Sequence, residues 1–235
     1  MPSPVNEAAA GRLSAPDGGR WLVIACATVG EELKPLLPPH AAYKALEFGL
    51  HLNPARLRQA LQAEIDGAGE VDTIILGYGL CSQGVVGLRS ERARLVVPRT
   101  DDCIGIFLGS RAAYQRQMQR EPGTFYLTKG WIECGDTPLY EYEKMAAKYG
   151  EERARWLSFE ALKHYTRVAL IDTGQHELGR YRQYAQQVAD FYGWRCEEIA
   201  GSTALLRKLA AGPWDEDFVV AEPGQVITAE MFGLW

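Results

Sequence analysis

Asp72-Thr-Ile-Ile-Leu-Gly77-Tyr-Gly-Leu-Cys81-Ser-Gln-Gly84-Val-Val-Gly87 is the stretch on which the fold turns. Its first half is a short apolar run with β-branched residues, the pattern of a strand covered on both faces. Its second half is a glycine-rich loop. Upstream, residues 55–65 place Leu57, Leu61 and Ile65 at four-residue spacing, one apolar face of a helix, with Asn53 as cap and Pro54 in its first turn. Further upstream, Trp21-Leu-Val-Ile-Ala-Cys26 is another buried-strand run, followed by a turn or short helix carrying Glu31 and Glu32. Between Pro35 and Pro54 the text is irregular. Downstream, Arg94-Leu-Val-Val-Pro98 is a third strand and runs into Arg99-Thr-Asp-Asp102-Cys103. Alternating strands, helices and loops of this kind predict an α/β fold with an open, mostly parallel sheet flanked by helices.

Residues 110–119 read as a helix, 124–128 as a short strand, and 139–164 as two charged helical stretches. The last third returns to the first pattern, with strands at 167–172, 194–199 and 218–220 and helices at 178–192 and 203–211. Two sheet-forming halves are therefore expected, with residues 122–165 as a helical insertion or as a cover over one face. Residues 1–20, rich in Pro, Ala, Gly and Ser, read as a disordered tail, and residues 21–235 as one α/β domain.

A net charge of -5 over 235 residues gives no broad attraction to phosphate backbones, so nucleic acid is not an expected partner. The longest apolar stretch, residues 21–29, is about half a bilayer span, so no membrane partner is expected either. Residues 1–20 lack the basic start and apolar run of a secretory signal. A cytoplasmic location with reduced thiols is the expectation.

Five cysteines are present and none belongs to a C-x-x-C pair. Three of them, Cys26, Cys81 and Cys103, lie at or just beyond predicted strand ends, where loops converge in open parallel sheets and ligands bind. Three thiolates in one place repel, and coexist only with protons or a cation between them. Zinc with three sulfurs and a fourth ligand, such as His51, satisfies that condition. So does an iron–sulfur cluster with one open iron. Structural roles compete at each position: buried cysteines are ordinary small hydrophobes, and His51 is flanked by leucines. Cys134 follows the short strand within reach of such a site, whereas Cys196 sits in a late strand as a structural thiol.

Gly77-x-Gly79 lacks the third glycine of a dinucleotide fingerprint, since Ser82 occupies that place. Gly77, Gly79 and Gly84 instead let the backbone bend and approach a small-molecule substrate. Arg99 and Arg111 are candidates to hold an anionic substrate group. Glu31, Glu32, Asp101 and Asp102 are the nearby carboxylates, with helix capping or a solvated turn as their competing roles.

Several motifs in order resemble the domain-of-unknown-function 1638 family of microbial proteins. They are Ile24-Ala-Cys26, Leu50-His51-Leu52-Asn-Pro, Leu76-Gly-Tyr-Gly-Leu-Cys81, Pro98-Arg99, Asp102-Cys103-Ile104, Leu108-Gly-Ser-Arg111, the run from Pro122 to Thr128, and Gly130-Trp131. The resemblance implies a setting of corrinoid-dependent methyl transfer and one-carbon metabolism, with a corrinoid protein or a methyltransferase as partner. Where the family pattern has a glycine after the first cysteine and a histidine before the Asp-Cys pair, this chain has Ala27 and Asp101, which removes one candidate ligand. Three readings follow: a metal-thiolate protein that binds or activates a small substrate by methyl or sulfur transfer, a metal-free cysteine enzyme, and a non-catalytic module that delivers a metal or corrinoid.

Overall fold

The computed structural model describes residues 19–233. The tail expected over residues 1–20 lies, apart from Gly19 and Arg20, outside the described residues. From the amino end the chain forms β1 (Trp21–Cys26), α1 (Ala27–Leu33), β2 (Ala41–Leu46), α2 (Pro54–Asp66), β3 (Thr73–Gly77), β4 (Arg94–Pro98), α3 (Cys103–Phe107) and α4 (Arg111–Arg120). It continues through β5 (Thr124–Leu127), α5 (Lys129–Cys134), α6 (Pro138–Tyr149), α7 (Glu151–Ala161), β6 (Arg167–Asp172), α8 (Gly179–Tyr192), β7 (Arg195–Ala200), α9 (Ala204–Ala211) and β8 (Phe218–Ala221).

Two sheets result. The first has the order β2-β1-β3-β4-β8, parallel except for β8, and the second is the parallel trio β5-β6-β7. The fold is the expected α/β class with two sheet-forming halves. Every residue of β3 is buried, as its uninterrupted apolar text requires of a central parallel strand. Helix α2 starts where Asn53 accepts a hydrogen bond from the Arg56 amide at 3.1 Å, and it buries Leu57, Leu61 and Ile65 against the sheet.

One strand departs from the expectation. Residues 41–46, which the sequence leaves irregular, form β2 at the sheet edge, paired to β1 alone, with Ala42, Lys44 and Ala45 exposed and none fully buried. An edge strand needs few apolar residues, so its text carries little of the burial signal.

The second sheet shares its two faces between different cores. Tyr126, Ala169 and Ile171 join the core of the first sheet, whereas Leu127, Val168 and Leu170 pack on α8 through Tyr181, Ala185 and Val188. The period of two in the strands makes this division. Fully buried Arg167 is held between Thr124 Oγ1 at 2.9 Å, Glu197 at 2.7 Å and Gln117 Oε1 at 3.0 Å, which keeps its charge compensated in the interior. Residues 122–165 hold β5 as well as α5 to α7, so this segment supplies a strand of the second sheet along with its helices. No described helix is long and apolar enough to cross a membrane.

Gly77 lies beside Ala25 in the β1–β3 register, and a Cβ on it would stand 2.6 Å from the Ala25 Cβ and 3.3 Å from its Cα. Neither atom belongs to a side chain able to swing away. Gly77→Ala should therefore lower the unfolding free energy by about 2 kcal/mol in urea titration; a variant as stable as the parent contradicts this packing.

Candidate functional site

The carboxyl ends of β1, β3 and β4 open onto a cavity of about 610 Å³. Cys26, the last residue of β1, contributes one thiol, which lies 3.4 Å from Thr28 Oγ1. Cys81 follows β3, and Cys103 begins α3 after the short loop that follows β4; both line the same space. The facing wall comes from the amino ends of the second sheet: residues 122–126 leading into β5, and His164 and Tyr165 before β6. Carboxyl edge thus faces amino edge, with Trp131 of α5 and Tyr114 and Met118 of α4 completing the walls.

Cys81 occupies an unusual backbone. Cys81, Ser82 and Gln83 have φ of 47°, 54° and 68°, three successive non-glycine residues in the left-handed region. Each costs about 1–2 kcal/mol there, and such residues persist only where the surroundings fix them. The Leu80 and Cys81 amides donate to Thr100 O at 2.8 Å and Asp101 O at 3.0 Å, and the Gly84 amide donates to Cys81 O at 3.0 Å. Arg58 Nη2 donates to Gln83 O at 3.1 Å and closes the turn.

Gly79 makes the approach of the two loops feasible, because a Cβ there would fall 2.7 Å from Thr100 Oγ1 and 2.8 Å from the Asp102 backbone. At Gly84 a Cβ would meet Leu57 Cδ2 at 2.6 Å. Of the three loop glycines only Gly77 lines the cavity; Gly79 and Gly84 serve the packing that aims Cys81.

The electrostatics are one-sided. Burial pushes the Cys81 thiol up to about 12, with the Asp102 carboxylate and Cys26 adding to the effect against a hydrogen bond from the Gly79 amide. Cys103 is raised well above the ordinary thiol value by burial and then by Cys81, Asp102 and Cys26. The three sulfurs therefore feel one another. Asp102 is itself raised by burial, although it accepts hydrogen bonds from the Ile104 amide at 2.9 Å and the Tyr114 hydroxyl at 3.3 Å. The lining includes neither lysine nor arginine.

Other residues singled out in the sequence fall into three groups. His51 lines the cavity, edge-on to Phe48 with centroids 5.1 Å apart and with Nε2 3.6 Å from Asp136 Oδ2. Arg111 and Arg99 are turned elsewhere. Arg111 pairs with Asp101 at 3.0 Å and donates to Phe232 O at 2.6 Å, and Arg99 donates to Phe218 O at 3.3 Å, so both tie down the carboxyl-terminal segment. Glu31 pairs with Lys129, while buried Glu32 accepts from Gln175 Nε2 at 3.1 Å. Exposed Cys134 stands outside the lining, and half-buried Cys196 packs in the α8 core.

The sequence gives no warning of Tyr78, Asp136, His164 or the aromatic wall. Tyr78 follows β3, and its hydroxyl is buried with no hydrogen-bond partner. Burial raises its pKa, so it keeps its proton. Among the described residues, no three His, Cys, Asp or Glu side chains are gathered closely enough to hold a metal ion.

A family model described as a protein of unknown function, DUF1638, matches residues 45–210, well over half the chain. The chain belongs to the DUF1638 family. The DUF1638 segment contains His51, Cys81, Asp102, Cys103 and the whole second sheet, while Cys26 lies upstream of it. No curated protein and no solved structure matches the chain.

The raised thiols set a pH dependence. An unfolded cysteine titrates near 8.5, whereas folded Cys81 holds its proton to about 12. Between these values the unfolded chain binds fewer protons than the folded one, so the stability this thiol contributes is complete below about pH 8.5 and is lost as pH rises. The limiting slope is about 1.4 kcal/mol per pH unit per thiol. Unfolding free energies of the reduced, metal-free protein between pH 8 and 10.5 should fall less steeply in Cys81→Ser than in the parent; parallel curves would contradict the assignment.

Proposed function

We propose that this cavity is a small-molecule site in which Cys26, Cys81 and Cys103 serve as thiolate ligands of a soft metal centre, zinc or an iron–sulfur cluster, and that methyl or sulfur transfer to or from a thiolate is its reaction class. One observation carries the reading. Three thiols and a buried carboxyl surround an apolar space whose lining has no lysine or arginine to oppose negative charge. Thiols in that setting stay protonated until a cation replaces the proton, and a coordinating metal deprotonates them outright. The same burial works against a metal-free cysteine enzyme, which needs a thiolate already present at neutral pH.

Cys26, Cys81 and Cys103 would hold the metal, with His51 or a substrate atom as the remaining ligand. Among the described residues the three thiols are not gathered into such a group in this structure, so binding a metal would require them to move together. The centre would supply Lewis acidity and a thiolate environment to the bound substrate. The chain's own residues exclude water through Val29, Ile104 and Phe48 and set the position of Cys81 by the strained turn. That strain supports a functional role, since left-handed non-glycine residues cluster where a side chain must be aimed. We take one-carbon metabolism, the setting implied by the sequence resemblance, as the place to seek the substrate, and a corrinoid protein or methyltransferase as the partner to test.

Metal analysis of anaerobically purified protein tests the reading, alongside Cys81→Ser and, as a control, Cys134→Ser. About one equivalent of zinc, or iron at the several equivalents of a cluster, in the parent and in Cys134→Ser, with a loss of at least ten-fold in Cys81→Ser, is expected. Equal and negligible metal in all three contradicts it.

A further inference from the structure

The wall facing the thiols has a chemistry of its own. Phe48, Tyr114, Phe125, Tyr126, Trp131 and Tyr165 all line the cavity. Phe125 and Tyr165 are braced against each other with centroids 5.4 Å apart, and Trp131 is edge-on to Phe107 at 6.3 Å. Rings fixed in this way keep their positions when a ligand enters. The only acidic side chains in the lining are Asp102 and Asp136, and its only nitrogen bases are His51 and His164. Tyr78 adds a buried hydroxyl with no partner in the protein, a hydrogen-bonding group left for something in the cavity.

Three ligand classes compete for such a space. An anion meets carboxyl groups and thiols with no guanidinium or ammonium to receive it. A purely apolar molecule fits the rings but leaves the Tyr78 hydroxyl without a partner and the negative charge of the lining without a counter-ion. A cation with an apolar skin satisfies rings and carboxyls together, because aromatic faces attract positive charge most strongly where water is excluded.

We infer that the aromatic end of the cavity binds a compact alkylated onium group, a quaternary or highly substituted ammonium, as part of the small molecule brought to the thiols. The inference rests on the reading of this cavity as a small-molecule site and names the chemical class of its ligand. The onium group sits at the end of the cavity lined by Phe48, Trp131 and Asp136, where the Asp136 amide donates to Trp131 O at 3.2 Å and His51 lies between Phe48 and Asp136; Asp136 supplies negative charge, and the Tyr78 hydroxyl bonds a polar atom elsewhere in the same molecule. A cavity of about 610 Å³ is larger than an onium head alone, which leaves room for that remainder.

Calorimetric titration of the whole protein with tetramethylammonium and with its neutral analogue tert-butanol tests this. Saturable binding of the cation is expected, at least ten-fold tighter than that of the alcohol. Trp131→Leu and Phe48→Leu should each weaken cation binding by about ten-fold with unchanged circular dichroism. Equal binding of the two probes, or no saturable binding of either, overturns the inference; should a variant fail to fold, the ratio in the parent decides alone. Metal analysis of the same preparations separates the two proposals. Protein that holds metal yet does not discriminate between the probes overturns the onium assignment and leaves the metal centre standing. Protein that discriminates without metal supports the onium assignment and overturns the metal centre.

Discussion

Charge balance around buried thiols governs the site. The thiols of Cys26, Cys81 and Cys103 and the carboxyls of Asp102 and Asp136 share one space, and the lining offers them no lysine or arginine. In such a medium like charges interact far more strongly than in water, and Cys81, Cys103 and Asp102 are all raised, in each case first by burial. Positive charge from outside the protein is what converts these groups from inert thiols into ligands. Both proposals follow from that need, the metal at the strand ends and the onium group among the rings.

The fold creates this condition by setting two sheets edge to edge. Carboxyl ends of the first sheet deliver the thiols, and amino ends of β5 and β6 deliver the aromatic wall. Close backbone approach at Gly79 locks the loop after β3 to the loop after β4, and this lock holds Cys81 in a conformation it would otherwise avoid. The strain is local, and the hydrogen bonds from Leu80 and Cys81 to residues 100 and 101 oppose its release. Arg99 and Arg111, which the sequence offers as anion-binding groups, instead fasten the carboxyl-terminal segment to the first sheet.

The strands that carry the thiols are legible because buried parallel strands are written as continuous apolar runs, and β1, β3 and β4 each end where a cysteine or a cysteine-bearing loop begins. Asn53 and the spacing of Leu57, Leu61 and Ile65 mark α2 for the same local reasons. β2 escapes notice because an edge strand with no fully buried residue resembles loop text. Helix α5 is only six residues long; Thr128 as cap and Gly135 as left-handed terminator mark it, but periodicity over one and a half turns does not. The aromatic wall has no local signature at all. Phe48, Tyr114, Trp131 and Tyr165 come from four separate segments, and only tertiary packing brings them together. Asp102 is legible as a cap, while its place beside two thiols depends on the loop lock at Gly79.

The convergence of the three sulfurs is the claim on which the site stands, and X-ray absorption at the cadmium edge reads it directly, since Cd²⁺ is a thiophilic probe for cysteine clusters. Protein loaded with one equivalent of Cd²⁺ should show a first shell dominated by sulfur, with about three sulfur scatterers, as the trio of ligands requires. A first shell of oxygen and nitrogen alone would contradict the account.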